Sequence, residues 1–167
     1  MSEASLTGGS GRGWDAGRRV ASVSDEPKNA ASERVRRICG YLSKCESPPS
    51  DVRASVTDDF VLEDRRRGPT FPTTDADSFP KYIASTWDTG AGQPRFTVHR
   101  VLAVRGDRLA VCWLEADYGN GWTWESIEVM ELDTTLTLIQ RMVDFDVDDV
   151  DAAIAELDRL QSQADAG

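Results

Sequence analysis

The chain has 167 residues, 40% of them hydrophobic, with 19 Lys and Arg against 29 Asp and Glu for a net charge of −10. That length suits one domain with tails and a core of its own. Residues 1–28 hold four acids (Glu3, Asp15, Asp25, Glu26) and four bases (Arg12, Arg18, Arg19, Lys28), so the acidic excess belongs to the rest of the chain and disfavours nucleic acid or an anionic membrane surface as partner.

Three cysteines (Cys39, Cys45, Cys112) and one histidine, His99, do not supply the paired four-ligand spacing of structural zinc. Cys112 and His99 fall on neighbouring predicted strands, where a Cys–His nucleophilic pair is conceivable, although Cys112 reads as a small core residue. The chain has no apolar leader and no apolar run of about 18 residues. The expectation is a cytoplasmic protein without metal or cofactor.

Glycines at 8, 9, 11, 13 and 17, mixed with serines and isolated charges, mark residues 1–28 as a disordered tail, with Trp14 and Val20 as its only docking candidates. Val35, Ile38, Cys39 and Leu42 predict a first helix over 29–44, capped by Ser32 with Glu33 in its first turn. Pro48 and Pro49 break it. A short second helix follows from Ser50, with Val52 and Val56 as its contacts and an end at Thr57-Asp58-Asp59. Phe60 to Arg65 reads as a strand with Phe60, Leu62 and Asp64 on one face. Beyond a loop with Gly68, Pro69 and Pro72, a third helix carries Phe79, Tyr82, Ile83 and Trp87, admits Pro80 in its first turn and stops at Gly90-Ala91-Gly92.

Four long strands come next, over 95–105, 108–118, 122–132 and 136–145. Turns at Gly106-Asp107, Gly119-Asn120-Gly121 and Asp133-Thr134 make them antiparallel neighbours. Strands this long must twist and curl, which leaves a concave side for helices to cover. A last helix over 148–161 has Asp148, Asp149 and Asp151 in its first turn, where the helix dipole favours them, and an apolar stripe of Val150, Ile154, Leu157 and Leu160. Those aspartates lack the glycine and distal glutamate of an EF-hand loop, so no metal is assigned to them. The fold class is α+β: a cone-shaped, curved antiparallel sheet wrapped around N-terminal helices, with a C-terminal helix. The domain spans 29–162, and 163–167 form a tail.

Alternation directs Ala110, Cys112, Leu114, Ala116 and Tyr118 inward and Trp113 outward, where Trp122 or Trp124 would join it in an apolar patch for homodimerisation. A buried Asp64 has a raised pKa and suits a general base unless Arg66, Arg100 or Arg141 pairs with it. Glu125 is the second candidate base. His99, alternating with Val101 and Ala103, is the third catalytic candidate, placed with a tyrosine to stabilise an enolate. Tyr118, Tyr82, Trp124, Arg100 and Asp144 are expected ligand contacts. Asp64, Arg100 and Asp144 are also the residue types of a water-activating Asp–Arg–Asp set.

The order of elements resembles the SnoaL-like, nuclear-transport-factor-two-like superfamily over about residues 30–160. The segments that carry the resemblance are Phe60-Val61-Leu62-Glu63-Asp64-Arg65, Val101-Leu102-Ala103-Val104-Arg105-Gly106-Asp107-Arg108-Leu109-Ala110 and Phe145-Asp146-Val147-Asp148-Asp149-Val150-Asp151-Ala152-Ala153. The last two resemble actinobacterial SnoaL-type domains, some of which are appended to large regulatory ATPases or transcription regulators. The resemblance implies an internal pocket and a homodimer through the outer sheet face. It leaves the activity open, because this superfold hosts isomerases, cyclases, hydrolases, dehydratases and non-catalytic modules. Where that subgroup often carries Asp-His-Arg, this chain has Asp64, Arg65 and Arg66. The functional expectation is a non-catalytic or regulatory domain for a small apolar or polyketide-like molecule. The alternative is an acid–base enzyme of isomerase, cyclase or epoxide-hydrolase type.

Overall fold

The computed structural model describes residues 25–68, 71–88, 93–119 and 121–166. Within them run α1 (Ala30–Leu42), a single 3-10 turn (Val52–Ser55), β1 (Val56–Asp64), β2 (Thr74–Asp75), α2 (Phe79–Trp87), β3 (Arg95–Arg105), β4 (Leu109–Asp117), β5 (Thr123–Leu132), β6 (Ile139–Phe145) and α3 (Val150–Ala166). The expected tail up to residue 24, with Trp14 and Val20, and the stop at Gly90-Ala91-Gly92 lie outside the described residues.

The cap of α1 is Asn29, and Ser32, which the spacing suggested for that role, is the third residue of the helix. Asn29 adopts the extended backbone of a cap and accepts from the Ser32 amide at 2.9 Å, while the Ser32 hydroxyl accepts from the Asn29 amide at 3.0 Å. The Asn29 amide side chain also donates to Gly106 O and Leu109 O, both at 2.8 Å, which pins α1 to the β3–β4 turn. Just before it, Glu26 pairs with Arg36 at 2.7 Å and accepts from the Val101 amide, so the residues next to α1 are bound to β3.

The second helix expected from Ser50 is no more than the 3-10 turn, and Val56 already belongs to β1. The β-branched pair Val56-Thr57 favours a strand, and Val56 finds Ile139 of β6 to pair with. At the far end of the chain α3 runs through Ala166 and takes in most of the expected tail.

The sheet order is β2-β1-β6-β5-β4-β3. The four long strands form the expected antiparallel meander. β1 lies parallel to β6, so this edge of the sheet is mixed. After β1 the chain crosses by way of α2 to the opposite edge, and three hairpins then bring β6 back beside β1. β6 begins at Ile139 and not at 136, because Asp133 caps the turn by accepting from the Thr137 and Leu138 amides and Leu136 takes φ 61°.

Helices cover both faces of the sheet. Val35, Cys39 and Leu42 of α1 and Phe79 and Ile83 of α2 pack on the inner face, against Phe60, Leu62, Cys112 and Met130. Ala153, Leu157 and Leu160 of α3 pack on the outer face, against Leu109, Val111, Val129 and Val143. β4 therefore starts with four buried residues and alternates only beyond Trp113, where α3 no longer covers it. No helix among the described residues is long and apolar enough to cross a membrane.

Candidate functional site

A cavity of about 340 Å³ lies between α1, α2 and the concave inner face. Its wall is mostly apolar, with Ile38, Leu42, Ile83, Leu114 and Met130 prominent. One row across the sheet breaks that pattern. Asp64 pairs in register with Asp144, Asp144 with Glu128, and Glu128 with Cys112. Direct cross-strand partners share a face, with Cβ atoms about 4.5–5.5 Å apart in antiparallel pairs. Two carboxyls thus stand side by side on the inner face, Glu128 in the cavity wall and Asp144 next to it, only 6% and 1% exposed.

Burial dominates their titration. Desolvation pushes Glu128 well above the usual carboxylate range, and the Asp144 charge pushes the same way. Desolvation also drives Asp144 up to about 7, with Arg66 pulling it down and Asp64 pushing it up. Two adjacent acids in such a medium share protons, so the pair carries at most one charge near neutral pH, on the member nearer Arg66. Asp144 Oδ1 and Ser126 Oγ have no hydrogen-bond partner among the described residues. Tyr82 lines the same cavity. Burial, followed by the charges of Asp144 and Glu128, holds its phenol well above 10, so it is a donor.

Arg66 supplies the positive charge at this end. It makes two bonds to Asp64, at 2.5 and 2.7 Å, and its guanidinium lies 4.5 Å over the Trp124 ring. Asp64 accepts in addition from the backbone amides of Arg66 (3.2 Å) and Phe71 (3.0 Å). Burial opposes ionisation of Asp64, but these bonds outweigh it and hold the carboxyl below its ordinary range. A carboxylate so fully used as an acceptor is a poor proton acceptor.

The residues singled out from the sequence separate by face. Asp64, Asp144, Tyr82 and Trp124 come together around the inner row. Glu125 lies on the outer face, accepting from the Trp113 indole at 3.0 Å. His99 lies there too, 3.1 Å from Glu115 and with its ring 4.9 Å from that of Trp113. The assumed alternation of His99 with Val101 and Ala103 fails because β3 carries two bulges, between Val98 and Arg100 and between Val101 and Ala103. Val101 faces in; Arg100, opposite Trp113, is exposed. Cys112 faces in as well, so it and His99 stand on opposite sides of the sheet. Burial raises both the Cys112 thiol and that of Cys39, the latter to about 12, which keeps them protonated.

Tyr118 is buried at the end of β4, where its ring meets Trp122 at 4.8 Å, outside the cavity wall. Trp122 and Trp124 are therefore engaged elsewhere and do not extend the Trp113 patch. Asp148 and Asp149, expected at a helix start, sit with Asp146 around the guanidinium of Arg67, which bonds Asp146 at 2.8 Å and also Asp148.

Glu128 is the site residue that the sequence reading did not single out. Its signal was parity: Trp124, Ser126, Glu128, Met130 and Leu132 alternate on one face, and Glu128 is the only acid among them.

No family model and no curated protein sequence matches the chain. Solved structures do match. AusH from Aspergillus nidulans has a TM-score of 0.55 at 10% identity, over 72% of this chain and 85% of its own. An NTF2-like protein of unknown function from Mesorhizobium loti has a TM-score of 0.53 at 11% identity, over 72% and 95%. BvnE pinacolase from Penicillium brevicompactum has a TM-score of 0.51 at 16% identity, over 82% and 98%. At such identities the likeness is one of fold. What these structures share with the chain is the curved sheet wrapped around N-terminal helices.

Proposed function

We propose that this protein binds a small, largely apolar, polyketide-like molecule in the inner cavity and anchors one oxygen of it on the Glu128–Asp144 pair. The observation that carries this reading is Glu128 itself: a buried acid in a mostly apolar cavity wall, beside an Asp144 whose Oδ1 has no hydrogen-bond partner among the described residues. A protonated carboxyl is a donor, and leaving it unpartnered in an apolar wall costs about 1–3 kcal/mol. A carbonyl oxygen brought in by a ligand removes that cost, so the same group supplies affinity and orientation. The resemblance to SnoaL-type domains of regulatory proteins supports a binding role without turnover. The test is calorimetric titration with bicyclic ketones and their hydrocarbon counterparts. The ketones should bind more tightly, and Glu128→Leu should erase the difference. Equal affinities for both series in the wild type would overturn the assignment.

A second reading is favoured by the unequal surroundings of the two acids. Asp144, beside Arg66, is the member that ionises, and Glu128 is the member that keeps its proton. Asp144 would then take a proton from the carbon next to a ligand carbonyl while Glu128 donates a hydrogen bond to the developing enolate oxygen. Deuterium exchange at that carbon in D2O, present in the wild type and lost in Asp144→Asn, would establish turnover.

A further inference from the structure

The cavity also carries positive charge in its wall. Arg34 and Arg37 both line it, on the face of α1 that also presents Ile38 and Tyr41. Arg37, Tyr41 and Asp51 are exposed, Arg34 is half-buried and Glu128 is buried, so Arg37 marks the mouth, Arg34 lies just inside it and Glu128 is the floor. Neither arginine forms an ion pair with a described residue, although acids outnumber bases 29 to 19 in this chain. The contrast with Arg36 on the same helix, which is paired with Glu26, is direct. Arg34 Nε is moreover buried without any hydrogen-bond partner among the described residues. A buried guanidinium N–H without an acceptor is costly, and an arginine fork suits a carboxylate. The one acid at the mouth, Asp51, accepts from the Tyr41 hydroxyl at 3.1 Å and is exposed, where solvent and salt screen its charge.

We infer that the ligand of this cavity is an anionic amphiphile, with a carboxylate head on Arg34 and Arg37 at the mouth and an apolar body against Ile38, Ile83 and Leu114. This rests on the reading of the cavity as the binding site and adds the chemical class of what enters it. The two polar ends then have separate tasks. The arginines select the head and set which end enters first, and the Glu128 end meets whatever acceptor the body carries.

The probes are octanoate and methyl octanoate, which share a chain and differ in charge, titrated by calorimetry into the full chain. Octanoate should bind about tenfold or more tightly than the ester, the worth of a charge-assisted hydrogen bond. The double variant Arg34→Gln/Arg37→Gln should lose that factor for octanoate and leave the ester unchanged. Leu114→Trp, which fills the cavity, should abolish binding of both, with Ile83→Trp as the alternative if that variant does not fold. Equal binding of the two probes, both lost on filling the cavity, would overturn the anionic ligand and leave the cavity reading intact. Absence of binding by either probe, or octanoate binding that survives a filled cavity, would overturn both.

Discussion

Burial at Glu128 and Asp144 gives the folded protein a tighter hold on protons than the unfolded chain has. Between the unfolded values near 4 and the folded Asp144 value of about 7, the native state binds more protons than the unfolded state. Stability therefore falls as pH rises through that window. Asp64, Glu156 and Asp133 act in the opposite sense. Their bonds lower their pKa values, to about 2 for Glu156 and Asp133, so their stabilisation is lost as pH falls below about 4. The maximum is expected at about pH 4–5. Glu128→Gln should flatten the decline between pH 5 and pH 8, read from urea midpoints; a decline as steep as in the wild type would exonerate this carboxyl. Asp64 poses a different problem, because its side chain is fully buried against Arg66. Asp64→Asn removes the carboxylate that holds that guanidinium by two bonds and should cost about 3–5 kcal/mol in chemical denaturation.

α3 turns a curved sheet with one covered face into a sheet covered on both. Leu157 is completely buried between α3 and the outer face, where Val111 and Val129 meet it. Leu157→Ala should lower stability by about 2–5 kcal/mol, measured by urea unfolding, without displacing the cavity on the other face. The stripe of Val150, Ile154, Leu157 and Leu160 made this helix legible in the sequence, and the first half of β4, apolar at every position, carried the matching sign of a strand buried twice. β3 was legible in length but not in facing. Its two bulges shift the pleat, and a bulge leaves no mark in a run such as Val98-His99-Arg100-Val101, so His99 and Arg100 ended on the outer face.

For the whole molecule, the outer face is divided. α3 occupies one half, and the other half exposes Trp113 beside His99, Glu115 and Glu125. The homodimer proposed from the superfamily resemblance has this open half as its contact. In sedimentation the wild type should run as a dimer and Trp113→Glu as a monomer, with the cavity ligand still bound. A monomeric wild type would remove the dimer from the account.

The amino-acid sequence by itself determined the three main helices, the long strands, their antiparallel meander, the inward parity of β4 and the covered concave side, because these follow from local periodicity and short turns. Only the tertiary structure decided the site. Asp64, Asp144, Glu128 and Cys112 are scattered over 81 positions of sequence, from 64 to 144, and become neighbours through the registers of β1 with β6, β6 with β5 and β5 with β4. Sequence periodicity reports which side of a strand a residue faces, not which residue of a distant strand lies opposite. The parallel seating of β1 on β6 placed Asp64, with Arg66 bonded to it two residues on, beside Asp144, and so left the protonated acid at Glu128.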